Sequence, residues 1–146
     1  MVEVRRFVPG DEAGLVLTAQ QAAALGGMDW RPAVLAAAAH GPVWTVTEAG
    51  ATVALAGLAE QWPGRAVVWA YINAALPARL WPALHRAALR GLAGAGYRRL
   101  EAATFLGWRP GERWLRLLGF ECEGVARGYT PAGDDASLWA RVRPCS

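Results

Sequence analysis

Few residues in this sequence have the type and setting of a reaction centre, and the most suggestive is a carboxylate. Glu101 falls within YRRLEAATF (97–105), which reads as a central strand, an expensive place for an unpaired charge. A carboxylate there can activate an amine through water as a general base. It can equally be held in a salt bridge with Arg98 or Arg99, or stand on a solvent-facing side of the sheet. Tyr71, in AVVWAYIN (66–73), can serve as a general acid if it points into a cleft; otherwise it is core packing on a central strand. Tyr129, near the end of the chain, is a second phenol able to donate a proton. Asn73 closes its strand, a natural place for a turn or cap residue, while Thr104 lies near the carboxyl end of its own, where ligands of open α/β sheets gather. Glu60 adjoins the turn Pro63-Gly64 and reads as a solvated turn carboxylate.

Composition removes other chemistries. His40 and His85 are isolated from one another, and two separated histidines make no metal site. The two cysteines, Cys122 and Cys145, form no disulfide framework, which points to a reducing compartment. All fifteen basic residues are arginine and the formal net charge is +3; the charges are scattered rather than blocked, so nucleic acid is an unlikely partner. No apolar run approaches the roughly 18 to 20 residues of a membrane span, and the opening MVEVRRFVPGDE alternates like a strand rather than a signal peptide. The expected location is the cytoplasm of a bacterium or of a phage-infected host.

The elements that must position these residues follow from periodicity. Val2 to Phe7 alternates, and Asp11 is placed to cap a helix with the stripe Leu15, Thr18, Ala22 and Leu25. Asp29 caps a second helix that stops at His40-Gly41-Pro42. VWTVTE (43–48), TVALAGLAEQW (52–62) and AVVWAYIN (66–73) have short glycine-bearing connections and should form an antiparallel meander. From Pro77 to about Gly94 the period is helical, with Trp81, Leu84, Ala88 and Leu92 on one side. The strand at 97–105 then favours a parallel neighbour through a right-handed crossover. GERWLRLLGF (111–120) reads as a short helix with Trp114, Leu117 and Leu118 facing one way. Gly119 takes the left-handed cap position and Phe120 folds back onto Leu115. FECEGVARGYT and SLWARVR close the chain as a hairpin around Pro131 to Asp135. The expectation is a single α/β domain over residues 1–146, in the order β-α-α-β-β-β-α-β-α-β-β, with a mixed central sheet of about seven strands and about four helices.

This order resembles the GNAT superfamily of N-acetyltransferases, as do VEVRRFVPGDE, the long helix and strand through AGYRRLEA (95–102), and the short helix closing in LLGFECEG (117–124). The text from ALAGLAEQWPG to WLRLLGF also looks like the short GNAT-like proteins of phages and prophages. The resemblance implies acetyl-CoA as co-substrate and acyl transfer to an amine, on a small molecule or a protein, by direct attack. The ligand would lie against Tyr71, Ile72 and Asn73, whose backbone pairs with the pantetheine arm, against Arg79, Leu80 and Trp81 at the head of the long helix, and beside Thr104. Glu101 and Tyr71 are then the catalytic candidates.

Two departures from the family pattern are visible. The short helix commonly carries a tyrosine four residues before the glycine of Gly-Phe, and here that position is Leu115; neighbouring Trp114 has no acidic proton to give. The glycines that admit the CoA pyrophosphate to bare amides are replaced by Arg79 and Trp81, although Arg79 can itself grip a phosphate. Trp108 and Trp114 can wall an acceptor or a peptide, or simply pack, as can the rest of the eight tryptophans; a homodimer or virion interface is a further use for them. The same departures suit the alternative, a non-catalytic phage or prophage module that binds a protein.

Overall fold

The computed structural model describes residues 1–144; Cys145 lies outside the described residues. Seven strands form one mixed sheet in the order β1-β2-β3-β4-β5-β7-β6. They are β1 (Val2–Arg6), β2 (Val43–Glu48), β3 (Ala51–Trp62), β4 (Arg65–Ile72), β5 (Arg99–Phe105), β6 (Glu121–Ala126) and β7 (Ala136–Val142). Four α-helices complete the fold: α1 (Ala19–Ala24), α2 (Arg31–His40), α3 (Trp81–Gly94) and α4 (Arg109–Leu117). The expected α/β architecture, element order and mixed sheet are therefore present.

β1 through β4 form an antiparallel meander. Its first tight turn places Ala49 at φ 50° and Gly50 at φ 79°, the left-handed pair that a two-residue hairpin demands. β4 and β5 run parallel across the α3 crossover, and the chain then places β7 between β5 and β6.

Alternation along the strands separates two cores. On one face Ala66, Leu100 and Trp139 pack with Leu92 of α3 and with Leu118 and Phe120 at the end of α4. On the other, Val43 and Leu55 receive Leu15, Trp30 and Val34. Gly57 stands opposite Trp69, whose indole lies flat across it; a Cβ there would sit 2.3 Å from the ring.

Two local readings are corrected. Asp11 does not cap a continuous helix: a 3-10 turn covers Asp11–Gly14, and α1 starts later with Thr18 accepting from the Gln21 N–H. The Asp11 carboxylate instead accepts from Arg5, the Val8 N–H and the hydroxyl of fully buried Thr45. Arg5 belongs to β1 and Thr45, 34 positions away, to β2, so the cap signature competed with a tertiary network and lost. Leu117 is exposed, and Leu115 takes its place against the core. The α4 terminus follows the expected cap: Gly119 has φ 90°, and the N–H groups of Gly119 and Phe120 donate to the carbonyls of Arg116 and Leu115.

Candidate functional site

The sheet opens at one place. β4 and β5 pair only at Arg65 with Arg99, Ala66 with Leu100 and Val67 with Glu101, yet β4 continues along β3 to Ile72 and β5 continues along β7 to Phe105. The two strands splay beyond Val67 and Glu101. Strand geometry fixes which groups of β4 face the gap. The Gly64 carbonyl accepts from Arg99 of β5, whereas the Asn73 N–H donates to Val53 of β3. Alternation then turns the main-chain groups of Ala70 and Ile72 toward the splay and those of Tyr71 toward β3.

Part of that edge is already engaged. The Gln21 carboxamide of α1 donates through Nε2 to the Ala70 carbonyl at 2.9 Å and accepts through Oε1 from the Ile72 N–H at 3.2 Å. Two residues beyond β4, the Ala74 N–H donates to the Val16 carbonyl. Gln21 carries no sequence signal that would have singled it out; the contacts span about fifty positions along the chain.

The head of α3 stands at the open end of the splay. Leu80 is buried with Val46 and Leu84, so its side chain is withdrawn from any ligand. Arg79 is exposed, but its guanidinium forks onto Glu48 at 2.5 and 3.2 Å and holds that carboxyl below its ordinary range. Trp81 meets Trp114 edge-on at 5.5 Å, and the Trp114 indole N–H donates to His85 Nδ1 at 3.1 Å. His85 thus ties α4 to α3. Trp108 packs edge-on against Phe105 beneath Gly111, whose missing Cβ leaves room for both the indole and the Thr104 hydroxyl. Both tryptophans proposed as an acceptor wall are engaged in packing.

Tyr71 points to the α1 and α2 face, 5.0 Å from the Trp30 ring and 5.7 Å from Trp69. Burial pushes its hydroxyl above the usual phenol range, so it remains protonated at neutral pH. Asn73 behaves as a turn residue, donating to the Thr52 carbonyl and accepting from the Ala75 N–H.

On the same face, beside the β4 and β5 junction, lies a cleft of about 330 Å³ lined by Arg65, Arg99, Glu101, Glu123, Tyr129 and Leu138 among others. Its roof is the β6–β7 loop, pinned to α1 by the Ala132 N–H on the Ala24 carbonyl. Glu101 accepts two 2.7 Å bonds from Arg65 and one 2.6 Å bond from Arg99, and Arg99 also forks onto Glu123. The Arg65 guanidinium holds the Glu101 carboxyl at about 2, with Arg99 adding to it. A carboxylate so stabilised has little affinity for a proton and is a poor general base. The geometry gives Glu101 the ion-pair role, with Arg65 as a main partner that strand periodicity did not reveal. Tyr129 does reach the cleft; the long β6–β7 connection brings it there, which its position in the sequence gave no means of judging.

No protein-family model and no curated protein matches the sequence; solved structures do match it. A putative phosphinothricin N-acetyltransferase is 18% identical and superposes with a TM-score of 0.80 over 99% of this chain and 100% of its own. The fold is the GNAT fold. The ribosomal-protein-S18-alanine N-acetyltransferase of Escherichia coli is 16% identical, with a TM-score of 0.73 over 100% of this chain and 96% of its own. A GNAT superfamily phosphinothricin acetyltransferase from Sinorhizobium meliloti, solved in complex with AcCoA, is 16% identical, with a TM-score of 0.72 over 97% of this chain and 88% of its own. Within the GNAT fold of this chain, the described residues contain no group of three or more histidine, cysteine or acidic side chains able to hold a metal, and no helix long and apolar enough to cross a membrane.

Proposed function

We propose that the protein is an acyl-CoA-dependent N-acyltransferase that acetylates a primary amine by direct attack. The observation that carries this reading is the splay: a parallel ladder that ends after Val67 and Glu101 and leaves the edge of β4 turned toward a gap. Such an edge binds an amide-bearing arm by strand addition without needing particular side chains, which suits the pantetheine of acetyl-CoA; of the expected Tyr71, Ile72 and Asn73 only Ile72 turns its main-chain groups to the gap, with Ala70 beside it, while those of Tyr71 and the N–H of Asn73 face β3. The amides at the head of α3 favour an anion through the helix dipole. Arg79 would exchange Glu48 for a phosphate, with Leu80 supporting the turn from the core, Trp81 beside it, and Thr104 on the opposite wall. A GNAT-fold neighbour holds AcCoA, which supports the choice of co-substrate.

The acceptor would enter the Tyr129 cleft with its amine directed at the splay. In the reaction the neutral nitrogen attacks the thioester carbon, the C–S bond breaks, the nitrogen loses a proton and the thiolate gains one. A main-chain N–H of β4 polarises the thioester carbonyl, and a phenol, Tyr129 from the cleft or Tyr71 from the β4 face, supplies the thiolate's proton in place of the residue that Leu115 replaces. Glu101 acts on the reaction only by fixing Arg65 and Arg99. With acetyl-CoA as co-substrate the reaction would run in the cytoplasm.

Isothermal titration with acetyl-CoA tests the reading: micromolar affinity is expected, followed by thiol release with amine panels. Absence of binding at millimolar ligand, both by the wild-type chain and by a variant with the Gln21 carboxamide removed from the β4 edge, would overturn it. That result would favour the second reading, a non-catalytic GNAT-like module of a phage or prophage that binds a protein or its own copy. The Arg79 to Glu48 pair and the covered β4 edge are the observations on its side.

A further inference from the structure

The contact between Gln21 and β4 has the pattern of a missing strand. In a parallel ladder, one residue of the neighbour donates its N–H to the carbonyl of residue i−1 and accepts at its own carbonyl from the N–H of residue i+1. Gln21 does this around Tyr71, using a side-chain amide in place of a peptide group: Nε2 on the Ala70 carbonyl, Oε1 on the Ile72 N–H. It does so on the edge from which β5 has diverged, where continuation of the ladder's register would bring its seventh pair, Tyr71 with Phe105. The neighbouring Val16 carbonyl continues the covering onto the Ala74 N–H.

We propose that the Gln21 carboxamide is a built-in surrogate for an amide of the ligand. It satisfies the β4 edge in the free protein and must turn out before an amide-bearing arm can pair there. This inference rests on the reading that the splay takes an acyl-CoA. Its physical basis is the expense of leaving partly buried N–H and C=O groups without partners: a splay with no ligand needs a substitute, and a primary carboxamide is the one side chain with a donor and an acceptor at peptide spacing. Selectivity follows, because only an arm offering both a donor and an acceptor repays the bonds Gln21 gives up. A thioester lacking such an amide, or a purely hydrocarbon chain, gains nothing at Ala70 and Ile72.

The test compares the whole wild-type chain with Gln21→Ala and Gln21→Asn, whose side chain is one methylene too short to carry its amide to both groups. Acetyl-CoA titration is run beside amide hydrogen exchange of the free proteins, and exchange at Leu55 and Ala66 checks that each variant keeps its sheet. The expected result is roughly tenfold tighter acetyl-CoA binding in both variants, the release of one to two neutral hydrogen bonds, with faster exchange at Ile72 before ligand is added. Binding by the variants where wild type binds too weakly to measure supports the proposal equally. Unchanged or weaker binding in the variants, with wild type binding, overturns the proposal and leaves the acyl-CoA reading standing. Failure of all three folded proteins to bind overturns both.

Discussion

Replacing Glu101 by Gln separates a structural carboxylate from a catalytic one. The ordinary glutamate value of 4.5 falls to about 2 here, a difference of ~2.5 that at ~1.36 kcal/mol per pH unit gives an upper bound of ~3.4 kcal/mol for the ionised form's preference for the native state. The side chain is 21% exposed, so solvent screening reduces this to about 1.5–2 kcal/mol. Glutamine keeps the shape but loses the charge, and it leaves Arg65 and Arg99 facing one another across the sheet. At about 3–4 °C per kcal/mol for a chain of this size, the variant should melt about 5–7 °C below wild type at pH 7. The pH dependence has a definite sign. The folded value is depressed, so the stabilisation is complete above about pH 4.5 and disappears as pH falls toward 2, where the two melting temperatures should converge. Thermal melts at pH 7, 4 and 2 measure this. With any amine that proves to be acetylated, kcat/KM should fall less than about tenfold, since general-base catalysis is worth about a hundredfold or more. Equal melting at pH 7, or a gap that persists at pH 2, refutes the ion-pair argument; a hundredfold loss of activity at unchanged stability makes Glu101 the base after all.

Other perturbations have equally direct readouts. Asp11→Asn should lose about 1–2 kcal/mol in urea unfolding at pH 7, because Arg5 holds the carboxyl at about 2 with help from Thr45 and Val8; the loss should vanish as pH falls from about 4 toward 2. Gly57→Ala forces the Trp69 indole off its neighbour strand and away from Tyr71, so a cost of about 1–3 kcal/mol should come with an altered near-ultraviolet dichroism spectrum. Ala49→Asn relieves a non-glycine left-handed residue and should raise stability by about 0.5–1 kcal/mol, visible as a higher urea midpoint at constant slope. Arg79→Ala should leave the melting temperature nearly unchanged, the Glu48 pair being exposed, while weakening acetyl-CoA binding severalfold and flattening its salt dependence.

The sequence by itself determined the architecture. Period-two runs joined by short glycine turns give an antiparallel meander, a period of 3.6 between Pro77 and Gly94 gives the crossover, and Gly119 gives the end of α4. Each of these signals is local, carried by neighbours within a turn or a strand, and each appears in the structure. The site was legible only as a place, the end of the strand at 66–73 beside the strand at 97–105. Its chemistry was decided by contacts between residues far apart along the chain. Arg65 reaches Glu101 across the parallel ladder, Glu48 reaches Arg79 from another strand, His85 receives Trp114 from another helix, and Gln21 reaches a β4 edge that exists only because β5 turns away. Titratable and amide side chains are long, rotatable and satisfied by whichever partner the fold brings near. Periodicity places their backbones, and tertiary packing alone chooses their partners.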